Sequence, residues 1–431
     1  MLDTVNFHLS LESTAESNPP EEEAMDLDAD VKEKAVNNIY MSGASIVEEP
    51  QQNHVDPDKP GGRQNQASLV RMANRTRELL RPKEPRSLDF QLDDNFLPDY
   101  FLRGDVRNKG ERHLVFATDR QLQHLSVSRQ WFMDGTFKIV RRPFHQLLTI
   151  HAFVRAGKDF KLVPLVFVIM SRRRTSDYVK IFKNILEALP KKPTVKTIIL
   201  DFELAAWKGV RKSLPDIRIR GCLFHMTQAV WRKCQELGLQ VAYMEDDDIH
   251  KFVRKLMALP FLPVADVTRL FHRLSDRVQA NGMLRQLTDY FESQWITHPM
   301  FTPRTWSVLN IAVRTNNFVE GWHRWMNNKV REQSLGVYRL VPELYQEAKL
   351  LPLQTRLVQE GRLKAYVRKT SSARQDEVFT LWNQFKDGDL SLSQLLTRCA
   401  AIHGSIHCFN KTLSQRSFSG PPNNPKECLI T

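Results

Sequence analysis

The apolar pattern between positions 114 and 224 predicts a layered domain of strands and helices. Three strand-like runs follow one another closely, with short connections typical of an antiparallel meander. Helical and strand-like runs then alternate. The predicted strands are Gln130–Val140, Gln146–Val154, Lys161–Met170, Thr194–Leu200 and Ile217–Phe224, and the predicted helices are Ser176–Leu189 and Leu204–Leu214. The order β-β-β-α-β-α-β predicts an α/β (α+β) fold, a mixed sheet with flanking helices.

Helical periodicity dominates the chain after His225. Four amphipathic segments precede a further helix over Asn316–Val330, and two or three more helices are predicted between Pro342 and His403. We interpret residues of about 240–312 as an all-helical insertion within a domain spanning 114–330. Residues 331–410 would form a helical C-terminal region, and residues 411–431, rich in Ser, Pro and Asn, a flexible tail.

Residues 1–65 differ from the rest in composition. They are acidic, rich in Pro, Gln and Asn, and almost free of aromatic residues, which predicts a disordered acidic tail. Residues 66–113 are interpreted as a basic linker that contains a short helix over Ser68–Leu80. Four arginines, at positions 71, 75, 77 and 81, lie within it or directly after it.

Charge is distributed unevenly along the 431 residues. The net charge is +13, but residues 1–60 hold 14 acidic and 3 basic residues, a net −11, whereas residues 61–431 hold 59 basic and 35 acidic residues, a net +24. Such a surface attracts nucleic acid, or it serves only to keep the protein soluble. No apolar stretch is long enough for a membrane span and no signal peptide is evident. Five scattered cysteines fit a reducing compartment.

Two aspartates stand at strand-like positions bounded by apolar residues. Asp134 lies in WFMDGTF, and Asp201 directly follows the predicted strand TVKTIIL. A carboxylate at the end of a buried strand is costly without a partner, and a divalent cation is an effective one. Alternatively, each aspartate caps the next helix or bonds to its own turn.

A third acidic candidate, Glu320, lies in RTNNFVEGWHRWMNN. On a helix, Asn316, Glu320, His323 and Asn327 form one polar stripe, beside an apolar stripe of Phe318, Trp322 and Trp325 that is expected to pack on the sheet. The polar stripe indicates a site or a surface hydrogen-bond array. Together, Asp134, Asp201 and Glu320 would suit two metal ions that act on a phosphodiester, with Asp134 bridging them.

Four motifs in this order, WFMDGTF, ILDFE, GCLFHMTQAVWRK and RTNNFVEGWHRWMNN, resemble the Mutator-like element (MULE) transposase domain family, from about Leu114 to Val330. The resemblance implies an RNase H-like fold with a DDE triad at Asp134, Asp201 and Glu320. It also implies Mg²⁺ or Mn²⁺ as cofactor, DNA as partner, a dimer or larger assembly, and the nucleus as location. The family's Cys-x-x-His element corresponds to Cys222 and His225.

The resemblance implies metal-dependent DNA cleavage and strand transfer. The alternative is a transposase-derived DNA-binding or regulatory protein, retained by a host and without catalysis. A zinc-finger module of the FLYWCH type, found in many relatives, is not expected, because no cysteine precedes Cys222. His225, Asn316 and His323 would support the substrate or the carboxylates. Cys222 and His225, as half of a zinc site, bind metal or merely pack under the sheet.

Overall fold

The structure is a computed structural model that describes residues 19–39, 41–54, 65–278, 280–311, 313, 317–330, 334–363 and 369–403. Within these ranges the chain forms one seven-stranded sheet and seventeen α-helices. The strands are β1 (Leu102–Asn108), β2 (Glu111–Phe116), β3 (Gln130–Thr136), β4 (Gln146–Ala156), β5 (Asp159–Met170), β6 (Thr197–Leu200) and β7 (Arg218–Gly221).

The helices lie on both faces of the sheet and continue far beyond it. In chain order they are α1 (Pro19–Asn37), α2 (Gly43–His54), α3 (Gln66–Leu80), α4 (Asp119–Val127), α5 (Thr175–Ala188), α6 (Leu204–Ser213), α7 (Leu223–Glu236), α8 (Leu239–Glu245), α9 (Asp247–Ala258), α10 (Val264–Asp276), α11 (Gly282–Phe291), α12 (Pro303–Trp306), α13 (Asn317–Lys329), α14 (Val337–Lys349), α15 (Leu351–Gln359), α16 (Lys369–Asp387) and α17 (Leu392–His403).

Strand order in the sheet is β1-β2-β5-β4-β3-β6-β7. The pairs β1–β2, β2–β5, β5–β4 and β4–β3 are antiparallel, whereas β3–β6 and β6–β7 are parallel. The last five strands of this order, with α5 and α6 between them, are those predicted from the sequence. The predicted fold class, an RNase H-like mixed sheet with flanking helices, an all-helical insertion and a helical C-terminal region, is confirmed.

Apolar packing covers the sheet on both faces, which explains the unbroken apolar run of β5. Val166 and Val168 belong to the core shared with α5 and α6, whereas Phe167 and Ile169 belong to the opposite core with α14. Side chains of a strand alternate between faces, so a strand buried on both sides is apolar at every position. The helical insertion joins the first core, where Phe202 packs against Trp295.

A hairpin of β1 and β2 extends the sheet before residue 114 and was not predicted. Its turn contains Lys109 and Gly110, both with positive φ (51° and 81°), which is the geometry that connects tightly paired strands. Polar residues alternate along β1 because it is an edge strand. β1 therefore lacks the apolar run that marks the inner strands, and the run of β2, Leu114–Phe116, is short.

Residues 19–54 form helices α1 and α2, where composition predicted a disordered tail. Leu27, Val31 and Ala35 recur every fourth residue and so share one face of α1. They pack against apolar residues of α2 and of the predicted basic helix, α3. Arg81, which caps the C-terminus of α3, donates to the carbonyl of Ile39 at 2.8 Å, and Arg77 of α3 donates to that of Met41. These arginines hold the turn between α1 and α2.

None of the helices in the described ranges is both long and apolar enough to span a bilayer.

Candidate active site

Two of the predicted acids meet where parallel strands β3 and β6 end. Trp131 pairs with Ile198 and Phe132 with Ile199. Two residues beyond the second pair come Asp134, on β3, and Asp201, directly after β6. Parallel strands end at one edge of a sheet, so this register places the two carboxylates side by side.

The backbone of Asp201 is fixed by aromatic packing. The indole N–H of Trp207 donates to the carbonyl of Asp201 at 2.6 Å. The next residue, Phe202, packs edge-on against Trp295 with ring centroids 4.6 Å apart, and against Phe301 at 5.2 Å. The helical insertion, which supplies Trp295 and Phe301, thus holds the loop that carries Asp201.

Cys222 and His225 enter the site from the neighbouring strand. Leu200 pairs with Gly221 across β6 and β7, and the N–H of Cys222 donates to the carbonyl of Leu200 at 2.9 Å. Cys222 is the N-cap of α7, and His225 lies in the first turn of that helix. The Cys-x-x-His spacing therefore points both side chains toward the end of β6.

Helix α13 brings Glu320 and His323 over the same edge. Val319 is buried between Phe132 of β3 and Ile199 of β6, and this contact seats the first turn of the helix on the sheet. Oε1 of Glu320 then lies 3.5 Å from Nε2 of His225. Glu320, predicted 119 positions after Asp201, thus lies beside the strand ends.

A chain of polar contacts runs from Asp134 into the core. Nδ1 of His323 lies 3.4 Å from Oδ2 of Asp134, and its Nε2 lies 2.9 Å from Oγ1 of Thr149. Nε2 of His151 contacts the same Oγ1 at 2.9 Å. The Thr149 hydroxyl can donate to the backbone carbonyl of Asp134 at 3.4 Å, so its oxygen can accept from both imidazoles while Nδ1 of His323 donates to Asp134. Thr149 and His151 were not predicted, because on the buried strand β4 they carry no periodic signal.

A second chain of contacts lies beside Asp201. The Tyr178 hydroxyl donates to Oε1 of Glu203 at 2.9 Å, and the Gln146 amide donates to the Tyr178 oxygen at 3.2 Å. Arg173 lies 3.4 Å from Oε2 of Glu203. Glu203 is thus a fourth acid of the site. Its position two residues after Asp201 in ILDFE was the signal that could have identified it.

Burial and mutual repulsion make three of these acids weak. Burial raises the pKa of Asp201 to about 6, with a contribution from Asp134 and against the attraction of His225. Burial and the charge of Asp201 raise the pKa of Glu203 to about 7. The pKa of Glu320 also rises to about 7, through burial and the charges of Asp134 and Asp201.

Asp134 and His225 shift in the direction that favours their charged forms. Burial opposes ionisation of Asp134, but the hydrogen bond and charge of His323 outweigh it and hold the pKa of the carboxyl below its ordinary value. Burial also opposes protonation of His225, but Cys222, Asp134 and Glu320 together raise its imidazole pKa well above the ordinary value. The site thus concentrates negative charge around one imidazole.

The donor set fits a hard divalent cation. Carboxylate oxygens are the ligands that Mg²⁺ prefers. Oε1 of Glu320 is buried and accepts no hydrogen bond from the described part of the chain, so it is an acceptor that a cation would satisfy. Glu320 also belongs to a second group of possible ligands. One ligand atom each from Cys222, His225 and Glu320 lie within 4.8 Å of one another.

Six of the seven predicted site residues are therefore brought to one edge of the sheet: Asp134, Asp201, Cys222, His225, Glu320 and His323. The seventh, Asn316, lies outside the described residues. The predicted apolar stripe of α13 is only partly buried. Trp322 packs against Phe167 and His151, whereas Trp325 is 44% exposed, because α13 rests on the sheet through Val319, His323 and Met326.

Part of the chain matches the model of a known protein family. Residues 130–229, from the start of β3 into α7, match the MULE transposase domain, which indicates a transposase-related function. No curated protein gives a significant match to the chain. The matched segment contains Asp134, Asp201, Cys222 and His225, and Glu320 lies beyond it.

Proposed function

We propose that this chain is a DDE-type DNA transposase, which cleaves DNA phosphodiester bonds and joins the freed ends to new DNA with Mg²⁺ or Mn²⁺. The observation that carries the proposal is the meeting of Asp134, Asp201 and Glu320 at one sheet edge, close enough to perturb one another's pKa. The match to a MULE transposase domain supports DNA as the substrate class.

In this proposal the three acids are metal ligands. Asp134, Asp201 and Glu320 would together hold the ions through their carboxylate oxygens. Bound ions of this kind supply Lewis-acid stabilisation of the attacking and leaving oxygens of a phosphodiester. Oε1 of Glu320 accepts no hydrogen bond within the described residues, as such a role requires, and His323 favours the ionised form of Asp134.

The remaining polar residues would position these ligands and the DNA. Trp207 fixes the backbone of Asp201, and the chain from His151 through Thr149 and His323 orients Asp134. His225 faces Glu320 and would hold a phosphate oxygen or a water molecule by hydrogen bonding. No protein nucleophile is needed, so catalysis would depend on positioning and charge stabilisation.

The basic surface suits DNA. Residues 61–431 carry a net charge of +24, which favours binding to the phosphate backbone. Three neighbouring arginines are partly neutralised, since Arg172 and Arg174 lie near Glu111 and Arg173 near Glu203. Because a transposase must join two DNA ends, the protein would act as a dimer or larger assembly. Because its substrate would be DNA, it would be located in the nucleus.

The test is cleavage of supercoiled plasmid DNA and joining of a 3′-hydroxyl oligonucleotide, with and without Mg²⁺ or Mn²⁺. Asp134→Asn, Asp201→Asn and Glu320→Gln should each lower both rates by a factor on the order of 1,000. Asp216→Asn, which changes an exposed acid in the turn before β7, is the matched control and should act as wild type.

Each outcome bears on the proposal. Metal-dependent cleavage without joining would indicate a nuclease and remove the transposase assignment. Cleavage that survives all three substitutions would mean that other residues bind the metal. DNA binding without metal-dependent cleavage would favour the DNA-binding or regulatory alternative.

A further inference from the structure

The cluster of Cys222, His225 and Glu320 shares Glu320 with the three proposed magnesium ligands but differs from them in chemistry. It offers one sulfur, one imidazole nitrogen and one carboxylate oxygen, all within 4.8 Å of one another. The three acids offer only hard oxygen atoms, which suit Mg²⁺. A thiolate with an imidazole selects zinc or a similar transition-metal ion instead.

The distances come close to those of a coordinated ion. Bonds of about 2.3 Å to sulfur and about 2.0–2.1 Å to nitrogen and oxygen, in a tetrahedron, separate ligand atoms by roughly 3.4–3.6 Å. Nε2 of His225 and Oε1 of Glu320 already lie 3.5 Å apart. The remaining separations, at most 4.8 Å, would contract by no more than about 1.3 Å.

The cluster is buried at its sulfur ligand and partly exposed at its other two ligands. Cys222 is fully buried at the start of α7, where the helix N-terminus favours a negatively charged group. The side chains of His225 and Glu320 are 23% and 20% exposed, so an ion has a route in from the sheet edge. Three protein ligands leave the fourth position of a tetrahedral ion to water.

We propose that Cys222, His225 and Glu320 form a second metal site, selective for Zn²⁺ over Mg²⁺, and that an ion bound there inhibits DNA cleavage. The protons of the Cys222 thiol and of the His225 nitrogen that binds the ion pass to solvent when the metal bonds form. Glu320 belongs to both ligand sets, so a carboxylate held by Zn²⁺ is withdrawn from the magnesium site. The binding depends on these three side chains alone, whereas the inhibition rests on the proposed function.

Binding is tested on the full chain with Co²⁺ as a spectroscopic probe. Wild type should show a thiolate-to-cobalt charge-transfer absorption that one equivalent of Zn²⁺ removes. Cys222→Ala should lose this absorption and bind Zn²⁺ at least about 100-fold more weakly, because even outer-shell losses cost 10–100-fold. Cys234→Ala, which removes another buried thiol of α7, is the matched control and should retain it.

Because Cys222 is buried, Cys222→Ala could lose metal binding by misfolding, and two further variants control for this. His225→Gln and Glu320→Gln change partly exposed ligands and should each weaken Zn²⁺ binding while the far-ultraviolet spectrum stays that of wild type. Asp134→Asn, which removes a magnesium ligand outside the cluster, should keep the charge-transfer absorption. Wild type without that absorption, or Cys222→Ala with unchanged Zn²⁺ affinity, would overturn the site.

Inhibition is tested by adding Zn²⁺ to the Mg²⁺-dependent cleavage assay, with each variant compared only with itself. Zn²⁺ should reduce cleavage by wild type and by Cys234→Ala to the same degree, and should have at least about 100-fold lower potency on the residual activity of Cys222→Ala. Equal inhibition of all three would overturn the regulatory part. Zn²⁺ binding by a protein that never cleaves DNA would leave the metal site standing and remove the proposed function.

Discussion

Nδ1 of His323 lies 3.4 Å from Oδ2 of Asp134, and the opposite nitrogen of the same ring contacts Thr149 at 2.9 Å. Thr149 of β4 thus fixes the imidazole at Nε2, and Nδ1 is left facing the carboxylate of Asp134. Gly135 donates its N–H to the other oxygen of Asp134 at 2.9 Å. Both oxygens of the carboxylate are therefore oriented before any cation or DNA arrives.

The first prediction concerns this orientation. His323→Phe keeps an aromatic ring but removes the donor to Asp134, so the carboxylate should be less well ordered and more readily protonated. We expect a roughly 10–100-fold lower cleavage rate, together with a higher Mg²⁺ concentration for half-maximal activity. Magnesium titrations of the cleavage rate measure both.

Two variants separate orientation from general damage. His323→Asn keeps a side-chain N–H near the position of Nδ1 and should recover part of the magnesium affinity. His272→Gln changes an exposed histidine that pairs with Glu292 at 3.3 Å and should leave the rate unchanged. A wild-type magnesium dependence in His323→Phe would show that this histidine only fills space.

The second prediction tests the support of Asp201. A Cβ atom on Gly221 would lie 2.0 Å from Cζ of Phe202, whose ring cannot withdraw because it packs against Trp295 and Phe301. Gly221→Ala should therefore lower the free energy of unfolding by about 1–3 kcal/mol or more. Urea denaturation followed by circular dichroism measures the change.

A glycine in a different setting serves as the control. Gly321 lies within α13, is exposed, and has no atom within 4 Å of an added Cβ. Gly321→Ala should raise the free energy of unfolding by about 0.5–1 kcal/mol, because alanine loses less backbone entropy in a helix. If both substitutions act in the same direction, crowding at Phe202 is not what constrains Gly221.

The sequence was sufficient to predict the inner sheet and most of the site, for one physical reason. Strands buried on both faces, such as β5 and β6, are continuous apolar runs, and acids that interrupt or end such runs are conspicuous. Asp134 and Asp201 could be predicted to meet because parallel strands end at one edge. Glu320 needed the motif resemblance as well, since 119 residues separate it from Asp201.

Other features were hidden because their signals depend on tertiary contacts. Polar residues occupy every second position of the edge strand β1, so it does not stand out as an apolar run. Helices α1 and α2 are acidic in composition, and only the packing of Leu27, Val31 and Ala35 against α3 shows why they are ordered. Thr149 and His151 look like ordinary strand positions, and only the packing of α13 on β4 turns them into partners of His323. Composition does not encode such pairings.

The third prediction concerns acid stability. Burial, with a contribution from His323, holds the pKa of His151 well below its ordinary value. The unfolded chain therefore takes up a proton at about pH 6.5 that the folded chain does not. The contribution of His151 to stability should be full above about pH 6.5 and should be lost as the pH drops from there toward the depressed pKa of the folded state. The raised pKa values of Asp201, Glu203 and Glu320 act in the opposite direction, so the effect of His151 is read from the difference between wild type and a variant.

His151→Gln tests this, since its amide can still donate to Thr149 but cannot be protonated. The melting temperature of His151→Gln, measured relative to wild type, should rise as the pH drops from about 7 to about 5.5, because the other shifted groups, His113 and His124 among them, act alike in both proteins. His272→Gln, at an exposed position, should show the wild-type pH dependence. Identical acid sensitivity in His151→Gln would contradict the assignment.

The fourth prediction concerns the exposed aromatic ring of α13. Trp325 is 44% exposed although it lies two residues from buried His323, and the ammonium group of Lys329 lies 5.3 Å from the centre of its ring. An exposed indole beside a cation suits stacking on an unpaired base next to a phosphate, which is worth about 1–3 kcal/mol per base. Trp325→Ala should thus weaken binding to single-stranded DNA roughly 5–150-fold with no loss of melting temperature. Fluorescence anisotropy of a labelled oligonucleotide measures the affinity.

Tyr100→Ala, which removes an aromatic ring that is 85% exposed outside the site, is the control and should bind as wild type does. If the two variants lose affinity equally, the loss reflects surface aromatic residues in general and gives Trp325 no particular place on the DNA path.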